Sequence, residues 1–171
     1  MKTEKQKKGF TILETLITLL AISIMIVGPV TFVAKSYHYA NFVKQKIIAT
    51  GLSQEGLELA TSLRNLDLAQ FKNMASACST SCAIDWNGNG STPTYTPCTD
   101  TGCQLSLITN DDGSRSYRNI VGGEVSDFSR FIKITTNGSQ SYTVEADTYA
   151  DVDGLKLQVK LKKVMFPIVI K

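Results

Sequence analysis

The chain has 171 residues, 43% of them hydrophobic, with a formal net charge of +3. That length and apolar content suit one globular domain plus a membrane helix. The charge excludes less than its sign suggests. Lys2, Lys5, Lys7, Lys8 and Glu4 account for all of it, and removing them leaves 14 of the 18 basic and 14 of the 15 acidic residues. A balanced remainder carries no nucleic-acid footprint, which is mainly phosphate-driven, so no specific nucleic-acid partner is expected.

Residues 1–9 form a short basic leader that stands outside the fold. Ahead of it runs an almost purely apolar segment, 10–34, whose single charge is Glu14. As a helix it would rise roughly 38 Å, enough for a hydrocarbon core of about 30 Å. Lysines before an apolar span favour a cytoplasmic N-terminus and place the remainder outside the cytoplasm. A secretory signal peptide is the competing reading. Its apolar core is shorter and ends at a small-residue cleavage site, whereas here Gly28-Pro29 lies where such a site would fall. Gly28 and Pro29 are expected to interrupt the helix, since proline removes an i→i−4 hydrogen bond and clashes with the preceding turn.

From Lys35 the composition becomes polar while helical periodicity persists. Tyr37 and Tyr39 suit a membrane interface. Ile48, Leu52, Gly56, Leu59, Leu63 and Leu66 recur at helical steps and define one face, with Gln54, Glu55, Glu58, Ser62 and Arg64 largely off it. Gly56 within that stripe implies close approach of a packed sheet. One helix from Phe10 to about Leu66 is therefore expected, membrane-embedded to residue 34 and amphipathic over 35–66.

The extracytoplasmic domain is expected over 67–171. Residues 67–77 form a helix exit or a short second helix. Cys78 to Cys103 is rich in Ser, Thr, Gly, Asn and Pro, and is expected to be a loop region with a short strand at Ala83–Trp86. Its four cysteines, Cys78, Cys82, Cys98 and Cys103, fit an exported domain with two disulfides, and their spacing lacks a zinc knuckle. Three connectivities are open, and the local pairs Cys78–Cys82 and Cys98–Cys103 are favoured among them. An antiparallel sheet follows over 104–164. The segments 104–109 and 116–121 flank a turn at Asn110–Gly113. The segments 128–136, 141–150 and 155–162 form a meander through turns at Asn137-Gly138-Ser139 and Asp151–Gly154. The last strand alternates Leu155, Leu157, Val159 and Leu161 with Lys156, Gln158, Lys160 and Lys162, the pattern of a half-buried strand. The fold class is α+β.

Few residues carry chemistry. A carboxylate inside an apolar helix costs on the order of 2.5–3.5 kcal/mol at mid-bilayer, so Glu14 needs a partner or a purpose. Asp85, Asn87 and Asn89 match the first half of a calcium loop, but Thr96 occupies the place of its bidentate glutamate, and a polar turn is favoured over a metal site. The single histidine, His38, lies beside two tyrosines and is expected to be a solvated or interfacial residue. No nucleophile elbow, zinc helix or phosphate-binding loop is present. Neither a catalytic function nor a cofactor is expected.

The stretch Lys7-Lys8-Gly9, Phe10 and Glu14, followed by the apolar helix, resembles the N-terminus of type IV prepilins, the precursors of pilins and of type II secretion pseudopilins. The resemblance covers about the first quarter of the chain. It implies cleavage between Gly9 and Phe10 by prepilin peptidase, N-methylation of Phe10, and filament assembly through Glu14. It also implies a helix that loses order near Gly28-Pro29 inside the filament, and a two-part helical spine packed on a small sheet. The implied partners are other pilin subunits, prepilin peptidase and an assembly platform in the membrane. A weaker resemblance, to PilV-type minor pilins, rests on residues 51–59 followed by Leu63-Arg64-Asn65. The expected function is thus a structural subunit of a pilus or related filament, with a minor pilin favoured. The alternatives are a pseudopilin of a type II secretion system and a pilus-tip module for adhesion or DNA uptake.

Overall fold

The structure, a computed structural model, describes residues 11–86, 91–99, 103–110, 112–119, 123–138, 141–152 and 154–166. The chain divides into two compact units, Met1–Val43 and Lys44–Lys171.

The first described element is α1, Ile12–Leu66, a 55-residue helix. Helical assignment continues through Gly28 and Pro29, so the expected interruption does not end the helix. Proline forfeits one backbone hydrogen bond, and the turns on either side retain theirs. Within the first unit the helix is long and apolar enough to cross a membrane.

In the second unit the remainder of α1 packs on an antiparallel sheet. The buried face comprises Ala49, Leu52, Ser53, Gly56, Leu59, Ala60 and Leu63. Leu66, expected on this stripe, is instead 59% exposed, because α1 ends there. Gly56 does meet the sheet closely. A Cβ at that position would lie 2.8 Å from Ile132 Cδ1 and 3.2 Å from Arg130 Cδ. A second helix, α2, spans Leu68–Ala77 and is capped by Asp67, whose carboxylate accepts from the Gln70 amide at 2.9 Å. It buries Phe71, Met74 and Ala75.

Seven strands follow: β1 Cys82–Trp86, β2 Pro93–Pro97, β3 Gln104–Thr109, β4 Arg115–Arg118, β5 Glu124–Asn137, β6 Ser141–Val152 and β7 Leu155–Met165. All described pairings are antiparallel. β5 is the organising strand. One edge carries β6 along ten residue pairs. The other is shared, with β3 beside Glu124–Ser129 and β1 meeting Ile132 through Cys82. β6 then pairs with β7, completing the expected meander.

Two segments depart from expectation. The cysteine-rich region contains a hairpin, β1 with β2, in place of a loop holding one short strand. Its second strand begins and ends on proline and, among the described strands, bonds only β1, an edge place where a missing N–H is tolerated. The hairpin β3–β4 closes at Asn110–Gly113 as anticipated, but β4 is shorter, ending at Arg118, and residues 120 and 121 lie outside the described set. The β6–β7 turn places Gly154 at φ +79°, where its amide donates to Asp151 Oδ1 at 2.9 Å. A residue with a side chain would be strained there.

The core joins Leu59, Ala60 and Leu63 of α1 to Phe71 and Met74 of α2 and to Ile84, Ile132, Ile134, Val144, Ala146 and Met165 of the sheet. Phe71 and Tyr142 meet edge-on at 5.2 Å between centroids. Both disulfides follow the favoured pairing. Cys78–Cys82 ties the end of α2 to β1 with Cα atoms 5.3 Å apart, and Cys98–Cys103 ties the end of β2 to the start of β3 across 5.5 Å.

Candidate assembly helix and sheet anchors

The apolar stretch of α1 owes its chemistry to how its few polar side chains are satisfied. Thr15 Oγ1 donates to the Ile12 carbonyl at 2.7 Å, and Thr18 Oγ1 to those of Glu14 and Thr15, both at 2.9 Å. Ser23 Oγ donates to Leu19 and Thr31 Oγ1 to Gly28, each at 2.8 Å. Returning a hydroxyl to the i−3 or i−4 carbonyl satisfies it without water or a neighbour. Thr31 thus adds a side-chain donor to the Gly28 carbonyl, whereas the carbonyl that Pro29 deprives of its helical donor is that of Met25. Around these groups the large side chains from Ile12 to Val33 are 52–83% exposed. An apolar sleeve of that size requires lipid or other apolar chains around it.

Glu14 is the residue this arrangement leaves over. It occupies the first turn of α1, where a negative charge faces the positive end of the helix dipole. Its amide donates to the Thr11 carbonyl at 3.0 Å. Gly9 and Phe10, the expected cleavage and methylation residues, lie outside the described residues.

Helix and sheet of the second unit are joined by polar anchors that the sequence pattern did not single out. Arg130, on the inner face of β5, is 1% exposed. Its Nη1 donates to Glu55 Oε2 at 2.9 Å and to the Leu52 carbonyl at 3.3 Å, and its Nη2 donates to the Ile84 carbonyl at 2.8 Å. One guanidinium therefore links α1, β5 and β1. Ser53 Oγ donates to Thr148 Oγ1 at 2.7 Å and approaches the Val159 carbonyl at 3.2 Å, linking α1 to β6 and β7. Near the end of α1, Arg64 Nη1 reaches the Phe166 carbonyl at 3.3 Å and Lys163 Nζ reaches Thr61 Oγ1 at 3.1 Å.

Asp85, first of the three weak calcium candidates, is committed elsewhere. Its Oδ1 accepts from the Trp86 amide and its Oδ2 from the Asn119 amide, each at 2.7 Å. Arg118 Nε lies 3.3 Å from Oδ1, an ion pair without hydrogen-bond geometry. The side chain is buried and locks β1 to the end of β4. Asn87 and Asn89 lie outside the described residues. Among the described residues, no group of three or more His, Cys, Asp or Glu side chains could hold a metal ion.

The outer sheet face carries charge in register. Glu145 pairs with Lys162 at 2.6 Å and Asp147 with Lys160 at 3.1 Å, each across adjacent strands. The hydrogen bond from Lys162 holds the Glu145 carboxyl below its ordinary range, and the bond to Asp147 raises Lys160 above the usual lysine range.

The fold and its anchors define a class: an α+β protein with a long N-terminal helix, apolar in its first part and layered on an antiparallel sheet in its second. Comparison with protein-family models, characterised proteins and solved structures finds no match to this chain.

Proposed function

We propose that this chain is a type IV pilin-like subunit that is cleaved after Gly9, methylated at Phe10, and built into a filament through the first part of α1. A minor pilin of the PilV type is the favoured member of that class. The supporting observation is a coincidence. The Lys-Lys-Gly-Phe motif with Glu14 opens a helix in whose apolar stretch the Thr15, Thr18, Ser23 and Thr31 hydroxyls are satisfied internally, alongside one carboxylate.

Hydrolysis of the Gly9–Phe10 peptide bond by prepilin peptidase on the cytoplasmic side would release an α-amine at Phe10. Before assembly the helix resides in the membrane with its N-terminus cytoplasmic and the second unit outside. On leaving lipid for a bundle of like helices, Glu14 gains most from a cation at short range, because an ion pair is stronger where water is excluded. The Phe10 amine of a neighbouring subunit supplies one. Gly28-Pro29 is the place where the helix would yield on packing into the filament.

The test is the partition of mature protein between sheared filaments and membrane. Glu14→Val should be processed and inserted normally yet be depleted from filaments, and Glu14→Gln should fall between. Equal incorporation of Glu14→Val and wild type would remove the carboxylate from the assembly step.

A further inference from the structure

The sheet face turned away from α1 holds a cleft of about 570 Å³, within the size range of small-ligand sites. Its floor is β5, β6 and β7, and Thr80 and Ser81 stand over it from the α2–β1 connection. That wall is held by three bonds. The Cys78–Cys82 disulfide closes the connection on itself. Ser81 Oγ donates to the Cys98 carbonyl at 2.6 Å, and the Cys98 amide returns a bond to the Ser81 carbonyl at 3.3 Å.

Two aromatic rings stand in the cleft. Phe131 and Tyr149 meet edge-on, with centroids 5.4 Å apart and planes at 88°. Tyr149 is 40% exposed. Phe131 is half-buried, so the Tyr149 ring is the more accessible of the two. The charged lining is balanced, with Lys133 and Lys160 against Glu145 and Asp147. Asp147 is the hub of the polar groups. It binds Lys160 Nζ at 3.1 Å and Gln158 Nε2 at 2.9 and 3.0 Å, and accepts from the Tyr149 hydroxyl at 3.0 Å. Gln158 Nε2 also lies 2.8 Å from that hydroxyl.

From this combination we infer that the cleft is a binding site for an uncharged saccharide. The four charges that line the cleft cancel in sum, so a charged ligand gains little net attraction from them. An apolar ligand would strand the carboxylate–lysine–amide array. A neutral sugar offers what the surface lacks: C–H faces for an exposed ring, and hydroxyls that both donate to carboxylates and accept from lysine and amide groups. The network is already ordered by its own bonds, and the wall is cross-linked, so binding requires little rearrangement. The inference goes beyond the filament reading and stands or falls without it.

Saturation-transfer NMR on the full oxidised chain in detergent micelles tests this with short uncharged oligomers of glucose, galactose, mannose and N-acetylglucosamine, beside sulfated and sialylated oligosaccharides. At least one uncharged series should receive saturation and shift the Phe131 and Tyr149 ring resonances. Tyr149→Ala should weaken that binding about tenfold or more. Tyr149→Phe keeps the ring and should bind within a few-fold of wild type, which guards against reading a misfolded variant as a lost site. No transfer to any uncharged oligomer at millimolar concentration overturns the inference. So does binding confined to charged oligosaccharides and abolished by salt, binding indifferent to Tyr149→Ala, or ring shifts that depend on protein concentration alone, which would make the face a contact between copies of the chain.

Discussion

Arg130 and Glu55 are joined at 2.9 Å across the helix–sheet boundary, one side chain 1% exposed and the other 39%. That asymmetry decides how the pair behaves. The carboxylate keeps water as an alternative partner, whereas the guanidinium does not, and it donates to the carbonyls of Leu52 and Ile84 as well. Arg130→Ala should therefore cost about 2–3 kcal/mol, through the Ile84 carbonyl left without this donor and the lost packing of the side-chain stem. Glu55→Gln, which keeps a hydrogen-bond acceptor near water, should cost about 1 kcal/mol. Denaturant unfolding of the micelle-bound chain, followed by near-ultraviolet circular dichroism, measures both. Equal losses would mean that the ion pair itself, and not the satisfied carbonyls, holds the layers together.

Two glycines of α1 should respond oppositely to alanine. A Cβ at Gly51 meets nothing within 4 Å, so Gly51→Ala should stabilise by about 0.5–1 kcal/mol through helix propensity. A Cβ at Gly56 presses on Ile132 and Arg130. Gly56→Ala should lose that gain to overpacking, and Gly56→Val should destabilise by about 1–3 kcal/mol. Thermal melts of the three variants give the order directly. A Gly56→Val chain as stable as wild type would mean the two layers separate easily.

Each disulfide closes a short loop, with sequence separations of 4 and 5. By chain entropy each contributes about 2 kcal/mol. The double change Cys78→Ser with Cys82→Ser should also loosen the Thr80-Ser81 wall, read as faster amide exchange over residues 79–82 while α1 amides stay protected. Unchanged exchange there would show that the Ser81–Cys98 bonds suffice.

The outer-face pairs set a pH response. Glu145 is held below its ordinary value by Lys162, so its contribution is complete above the usual glutamate range and is lost as pH falls through the lowered value. Lys160 is raised by Asp147, so its contribution is complete below the usual lysine range and is lost as pH climbs through the raised value. Carbon-detected NMR should place the Glu145 carboxyl midpoint below that of an ordinary glutamate and return it upward in Lys162→Ala. A midpoint indifferent to Lys162→Ala would refute the pairing in solution.

On the proposed reading, processing should depend on the smallest side chain at the leader's end. Gly9→Val should leave an uncleaved precursor in the membrane when prepilin peptidase is co-expressed, since a Cβ-branched residue crowds the scissile bond. Mass spectrometry distinguishes precursor from mature chain, and a mature Phe10 terminus on that variant would refute the requirement.

Much of the fold was legible because it rests on periodicity. The 3.6-residue stripe gave the sheet-facing side of α1, and alternation gave β6 and most of β7, where Leu157 is buried and Val159 and Leu161 are half-buried but Leu155, at the start of the strand, is 62% exposed. The turn residues at 110–113, 137–138 and 151–154 marked the hairpins. What escaped notice did so for physical reasons. β2 is bounded by prolines and is held by its partner more than by its own propensity. Leu66 keeps the period but falls where the helix ends. Arg130 shares the inward parity of Phe128, Ile132 and Ile134, a signal present in the sequence, yet a charged residue is ordinarily assigned to solvent unless its partners are known. The small residues Ala49, Ser53 and Ala60 were passed over for the larger leucines, though they are what lets helix and sheet approach.

The free margin of the sheet has a consequence for how the protein can and cannot aggregate. β7 bonds only β6 among the described strands, leaving a long row of backbone donors and acceptors open to another strand. It also sets Lys156, Lys160, Lys162 and Lys163 along that row. Two such margins brought together would oppose eight ammonium groups, several of them with no acid of their own to spare. Lysine at a strand edge discourages sheet-to-sheet fusion. Crowded copies of this chain are thereby steered away from amyloid-like stacking at the β7 edge.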